Sequence, residues 1–440
     1  MESRTIRAWT PAWREATWAD LQRPWDLLVI GGGITGAGIA REAARIGLRV
    51  LVVDAHDFAW GTSSRSSKMV HGGIRYLANF QFATTIHSVR ERDRLLRDGS
   101  GLVEPLEFIF ADYEAQRASA LEMHAGMWLY DQLSRTHAVH RLSSVALQGM
   151  IPGLNPEGLR GGWAYTDAET DDARLVLRVL REAAGAGAQV LNYAAVVGLI
   201  RSEGRVCGAT IRDQVSGALA EVNARAVVNA AGVWVDGIRE GLGAPPKMRP
   251  LRGSHLIFAA ARLPVAAAVI IRHPDDGRPL YVYPWEGVTV LGTTDLDHHD
   301  DLREEPRISD AEVDYLLTAA RALFPAAALD RADILSTYAG IRPVVAHGSR
   351  DPSKEPRDHV IFHEDGLWTV SGGKLTTFRR MANDALHQIR RDLPEIPRLG
   401  TDAPILDPLD PGLARPIAAA LGGDATPARA LRLLGRHGAD

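Results

Sequence analysis

Three glycine-bearing segments hold the chemistry most readily read from this chain. Gly31-Gly32-Gly33-Ile34-Thr35-Gly36 satisfies the pattern G-x-G-x-x-G. It follows the short apolar run Asp26–Ile30 and opens a stretch of helical character, Ile34–Ile46. Arg49–Val53 then reads as a second strand, with Asp54 at its end. In that context the glycines permit a tight turn, and the helix start offers N–H groups and a positive dipole to a pyrophosphate. The acid accepts hydrogen bonds from a ribose. Val227-Val228-Asn229-Ala230-Ala231-Gly232 is a strand ending in small residues, and Ser371-Gly372-Gly373-Lys374-Leu375-Thr376-Thr377 is again strand, glycines, helix. The late helix start suits the pyrimidine end of a flavin. FAD and NAD both use the first unit. Contacts spread from Gly31 to Thr377 suit a long, extended cofactor better than a compact NAD domain.

The elements around these segments predict a strand–helix–strand unit as the founding piece of the main domain. Residues 78–150 read as mostly helical, and residues 172–188 as a helix. Short strands are expected at Gln189–Asn192, Val206–Arg212, Leu219–Val222 and Ala226–Asn229, with a turn at Asp213–Gly217. Residues 251–296 are β-rich, Ser309–Leu323 is a helix, Val360–Phe362 and Leu367–Val370 are strands, and Leu375–Ile389 is a helix. Four of the ten tryptophans fall in residues 1–25. Thr10-Pro11 there signals a helix to about Leu21, either packed on the body or lying at a membrane interface.

Composition sets the outer limits. The 440 residues predict roughly two to three domains. A net charge of −4 does not imply nucleic-acid binding, and one cysteine excludes a disulfide framework. No apolar run approaches the roughly 18 residues of a membrane span, and no secretory signal is evident, so a soluble intracellular protein is expected. No Cys and His stand at metal-ligand spacing, and no metal site is expected. Only Lys68, Lys247, Lys354 and Lys374 among the 50 basic residues are lysine. Where arginine is so favoured, a surviving lysine marks a candidate need for a compact ammonium.

Further motifs make the chain resemble a known family. Gly61-Thr62-Ser63-Ser64-Arg65-Ser66-Ser67-Lys68-Met69-Val70-His71-Gly72-Gly73-Ile74-Arg75-Tyr76-Leu77 is the most specific block. Tyr165-Thr166-Asp167, Asp171-Asp172-Ala173-Arg174, Gly253-Ser254-His255, Pro284-Trp285, Gly292-Thr293-Thr294-Asp295 and Gly340-Ile341-Arg342-Pro343 follow in order. Together with the Gly373–Thr377 segment they resemble the FAD-dependent, quinone-linked glycerol-3-phosphate dehydrogenases, within the D-amino-acid-oxidase-like flavoenzymes. The resemblance runs from about Trp25 to Ala385.

It implies an α/β fold: a Rossmann-like FAD-binding domain, a second α+β substrate domain with an antiparallel sheet, and a short helical C-terminal segment. Residues 24–77, 163–245 and 341–395 would form the discontinuous FAD domain, and 78–162 and 246–340 the substrate domain. Residues 1–23 would be a Trp-rich helical extension. Residues 396–440 would be a linker and a helical segment shorter than the family's usual C-terminal domain. The resemblance further implies oxidation of sn-glycerol 3-phosphate to dihydroxyacetone phosphate, with electrons passed to a quinone at the cytoplasmic membrane surface. Oligomeric state stays open.

The matched residues then take expected roles. Arg75 and Arg342 suit a phosphate monoester, which favours bidentate guanidinium forks. His255 is the first candidate for the base that takes the hydroxyl proton, and His71, which otherwise braces the flavin loop, is the second. Lys374 suits the negative charge that reduced flavin gains, or the substrate. The cofactor residues would be Gly31, Gly33, Ile34, Thr35, Gly36, Asp54, Thr62, Ser63, Ser66, Ser67, Lys68, Met69, His71, Ala195, Ala230, Gly232, Gly373, Lys374, Leu375 and Thr376. The alternatives are an oxidase passing electrons to oxygen, a flavoenzyme for another small hydroxy or amino acid, and a non-catalytic flavin-binding scaffold.

Overall fold

The computed structural model describes residues 9–74, 82–114, 120–134, 138–346, 348, 355, 358–400, 403–423 and 425–438. Asp26–Ile30 is buried throughout apart from Asp26 because it lies inside a parallel sheet covered on both faces. Trp25–Ile30 pairs in parallel with Val50–Val53 on one side and with Leu219–Asn229 on the other. Leu367–Gly372 and Gln189–Leu191 extend the parallel core outward. All of these strands deliver their C-terminal ends to one edge, where open α/β sheets bind ligands. The helix Ile34–Arg45 packs against the helices Asp172–Gly185 and Phe378–Ile389. The last contact is close because a Cβ on Gly38 would come within 2.9 Å of the Phe378 ring.

A second sheet of ten strands is mostly antiparallel, and its core is separate from those flanking the first. Its long strand Met248–Ala259 is flanked by Val288–Gly292 and Ile334–Val345. Leu159–Thr170 pairs with Val103–Tyr113 and with Met69–Val70. Met69–Val70, residues 163–170 and residues 341–345, placed with the FAD domain from sequence, therefore hydrogen-bond within this second sheet. The crossing points fall inside strands, where no composition change marks them.

Three other readings change. The stretch 78–150 contains the eleven-residue strand Val103–Tyr113. Glu104 and Glu107 interrupt its apolar pattern, and its partners are distant in sequence, so local periodicity hides it. Leu219–Val222 and Ala226–Asn229 are one continuous strand. Its first half pairs antiparallel with Arg205–Asp213, and its second half pairs in parallel with Trp25–Ile30. The expected helix Leu375–Ile389 begins with a 3₁₀ turn, Leu375–Thr377, and becomes α-helical at Phe378.

The N-terminal helix Pro11–Ala19 is docked on the first sheet. Trp13 is buried and donates to the Val190 carbonyl at 3.1 Å, while Arg14 reaches the Asn192 carbonyl and Asp213. Trp13 thus faces the body, as the packed alternative expects. No helix among the described residues is long and apolar enough to cross a membrane. Ala414–Leu421 and Pro427–His437 form a small C-terminal helical pair, anchored where Arg178 donates to the Leu434 and Gly435 carbonyls.

Candidate active site

The carboxyl edge of the parallel sheet opens into a cavity of about 500 Å³. Its walls come from each glycine-bearing segment: Gly31, Gly33, Ile34 and Thr35, then Ala230, Ala231 and Gly232, then Gly373, Lys374 and Leu375. Gly31 has φ +110°, and a Cβ there would lie 2.5 Å from the Ala230 carbonyl oxygen, so only glycine fits. Gly36 is absent from the wall. Its role is packing, because a Cβ would fall 1.9 Å from the Gly31 oxygen and push the helix off the strand.

Asp54, Thr62, Ser63 and Ser66 also line the cavity. Asp54 accepts from the Gly32 N–H at 2.7 Å and the His56 N–H at 2.8 Å. Burial raises its carboxyl above the ordinary value, and those two N–H groups offset this only in part. Ser63 Oγ accepts from the Ile34 N–H at 3.0 Å, so the serine loop and the helix start are tied together. Thr62 Oγ donates to the Ile341 carbonyl at 2.5 Å, joining the loop to the second sheet. Backbone donors at a helix start, an acid at the next strand end and close-packed glycines fit an extended dinucleotide such as FAD.

Beyond the cavity the loop turns inward. Ser67 Oγ lies 2.9 Å from Nε2 of His255. His255 is fully buried, stacks on Tyr338 with ring centres 4.4 Å apart, and keeps Nδ1 without a partner among the described residues. Burial, reinforced by the Arg342 and Lys68 charges, pushes this imidazole well below its ordinary pKa, so it is neutral at pH 7. Gly292 leaves room for the ring: a Cβ there would fall 2.2 Å from His255 Cδ2. Arg342 donates to Asp295 Oδ1 at 2.8 Å and to Thr293 Oγ1 at 3.1 Å. Pro343, the residue after it, lines the cavity. Lys374 lines the same cavity, with Nζ 3.5 Å from Ser88 Oγ.

Several sequence-chosen residues stand elsewhere. Lys68 is nearly buried, donating to Asp172 Oδ1 and to the Ser64 carbonyl, both at 2.6 Å. Ser66 Oγ donates to the same carboxylate at 2.7 Å, so this loop is held by a buried ion pair, and Lys68 is not part of the cavity wall. Met69 is buried in the second sheet, and Thr376 is buried behind the wall. Ala195 is also off the wall. Its neighbours Ala194 and Val196 line the cavity, and alternate strand side chains point to opposite faces. His71 is half-buried in the loop after Val70. Arg75 lies outside the described residues.

Sequence reasoning gave no role to four residues that hold this arrangement. Asp172 anchors the loop, Asp295 holds Arg342 and Arg278, and Tyr338 stacks on His255. Glu312 accepts from Ser254 Oγ and Thr294 Oγ at 2.8 and 2.7 Å, tying together the segments that carry His255 and Asp295. Burial would raise the Glu312 carboxyl, but its hydrogen bonds, led by the Ser309 N–H, hold it below the ordinary range. Asp172, Asp295 and Ser254 stood inside recognised motifs. The pairing partners Tyr338 and Glu312 gave no such signal.

The family described as FAD dependent oxidoreductase, DAO, matches residues 26–378. The chain belongs to that family. Among curated relatives, an aerobic glycerol-3-phosphate dehydrogenase of Staphylococcus aureus strain MRSA252 is 36% identical over 376 residues, 84% of this chain and 67% of the relative. Among solved structures, a glycerol-3-phosphate dehydrogenase from Bacillus halodurans complexed with FAD is 31% identical with a TM-score of 0.78. The match covers 97% of this oxidoreductase and 78% of that chain. An L-alpha-glycerophosphate oxidase from Mycoplasma pneumoniae, with FAD bound, shares the fold. Its TM-score is 0.66 at 18% identity, covering 88% of this chain and 100% of that one. The chain is thus an FAD-dependent oxidoreductase, and the glycine-lined cavity is its candidate FAD site.

Proposed function

We propose that this flavoenzyme oxidises sn-glycerol 3-phosphate to dihydroxyacetone phosphate and passes the electrons to a quinone at the cytoplasmic membrane surface. The first sheet serves as the cofactor lobe and the second as the substrate lobe. The observation that carries this reading is half-buried Arg342, fixed by buried Asp295 close to neutral, buried His255. The glycerol-3-phosphate dehydrogenases among its relatives support it.

FAD, when bound, supplies the hydride acceptor. Arg342 presents a guanidinium fork to the phosphate, with Arg75 as its expected second partner. Asp295 keeps that fork from swinging to solvent. The neutral His255 ring, with its proton on Nδ1, takes the C2 hydroxyl proton at Nε2 once the substrate hydroxyl replaces Ser67 Oγ as the partner of that nitrogen. Stacking on Tyr338 holds the ring in place. Lys374 presents its ammonium at the cavity wall, where negative charge builds as hydride leaves the substrate.

Anaerobic addition of glycerol 3-phosphate should bleach the flavin absorbance near that of the fully reduced form. No bleaching with this substrate, but bleaching with an amino acid, would overturn the substrate assignment. Reoxidation by a quinone analogue, faster than by oxygen, supports the dehydrogenase reading, and the reverse ranking makes the protein an oxidase.

A further inference from the structure

A second cavity, of about 590 Å³, lies away from the flavin groove between the helices Phe82–Asp98 and Phe378–Ile389. Five arginines but only two carboxylates, Glu91 and Asp384, line it. Both carboxylates are already engaged. Glu91 accepts from Arg94 and buried Arg379, and Asp384 lies 3.1 Å from His359 Nε2 and 3.6 Å from Arg380. Arg90 and Arg398 are exposed at the rim and have no acidic partner among the described residues.

We propose that this cavity is a binding site for a phosphomonoester dianion, held between Arg90 and Arg398. The charge count fits: two unpaired guanidinium groups match the roughly two negative charges of a phosphomonoester at neutral pH. A concave wall with an excess of positive charge also concentrates the field. The neighbouring His87 reports that field, since burial first, and then Arg380 and Arg90, push its imidazole below the ordinary value. The volume exceeds what inorganic phosphate needs and suits an organic phosphate or a lipid headgroup. Ser88, next to His87, lies 3.5 Å from Lys374 Nζ, so the helix Phe82–Asp98 reaches from this cavity to the flavin groove.

The site does not depend on which substrate the flavoenzyme oxidises, and binding alone tests it. The FAD-loaded full chain carrying Arg342→Gln, which removes the substrate-site arginine, is titrated calorimetrically with inorganic phosphate. Adding Arg90→Gln and Arg398→Gln should weaken binding at least tenfold, and Arg90→Gln alone should weaken it severalfold. Both arginines are exposed, so the variants retain the fold. Equal phosphate affinity with and without these substitutions overturns the proposal. Co-sedimentation with vesicles of phosphatidic acid in phosphatidylcholine, lost in the double variant, assigns the site to a lipid headgroup. Calorimetric binding without co-sedimentation assigns it to a soluble organic phosphate.

Discussion

The flavin groove and the inner side-chain cluster around His255 are built by opposite means. The groove is made of backbone: glycines, strand ends and a helix start supply its shape and its donors. The inner cluster is made of buried and half-buried side chains that hold one another: Ser67 on His255, Tyr338 stacked beneath it, Asp295 on Arg342, and Glu312 bridging Ser254 and Thr294. A backbone site fails by steric exclusion when a methyl group is added. A side-chain site fails by losing orientation or charge while its shape survives. The two therefore respond differently to substitution, and that difference can be measured.

The largest effect is expected in the groove. Gly36→Ala places a methyl group 1.9 Å from the Gly31 oxygen, inside the helix–strand contact that aims the helix start. The change should cost about 3 kcal/mol through overpacking and yield a protein purified without flavin, read as the ratio of 450 to 280 nm absorbance. Arg342→Ala should do the reverse. Flavin content stays at the wild-type level while kcat/KM for glycerol 3-phosphate falls roughly 10³-fold, because two charge-assisted hydrogen bonds to the phosphate are lost. Flavin loss in the second variant, or retention in the first, would break the division between backbone and side-chain sites.

This division also explains what the sequence made legible. The G-x-G-x-x-G turn, Asp54 and the Gly373 segment are contiguous signals whose meaning depends on neighbours a few residues away, and all line one cavity. Asp172 and Asp295 lay within motifs, yet their work is to hold Lys68 and Arg342, which only tertiary pairing reveals. Glu312 resembles an ordinary capping-box glutamate after Ser309, and it is one. Its second carboxylate oxygen turns inward to the strand segments of the pocket, and no local pattern encodes that. The strand Val103–Tyr113 was hidden for the same reason: its identity lies in pairing with Leu159–Thr170 and Ala268–Arg272.

His255 sharpens the comparison through pH. Its folded pKa is pushed well below the unfolded value of 6.5, so the fold binds fewer protons there than the unfolded chain. The contribution to stability is fully present above about pH 6.5 and is lost as pH falls below it. His255→Gln should therefore show a smaller drop in Tm between pH 7 and pH 5 than the wild type. It should also slow flavin reduction by roughly 10²-fold or more, the range of general-base catalysis. In the wild type the limb of kcat/KM that belongs to His255 should lie well below pH 6.5. A limb near pH 6.5 that disappears in the variant would mean the ring is more solvated than its burial implies.

Lys374 should give the smallest effect, and it tests where the two kinds of site meet. The residue belongs to the glycine-bearing backbone segment, yet its ammonium projects into the cavity and approaches Ser88. Lys374→Arg keeps the charge and changes its shape, replacing a compact ammonium by a planar fork on a longer stem. If charge alone matters at the cavity wall, the anaerobic rate of flavin reduction is unchanged. If a compact cation must fit between the Gly373 turn and the helix Phe82–Asp98, the rate falls about tenfold while flavin content holds, since tenfold is what roughly 1.4 kcal/mol of misplaced stabilisation produces. The second outcome is expected, because this lysine persists in a chain that uses arginine at nearly every other basic position.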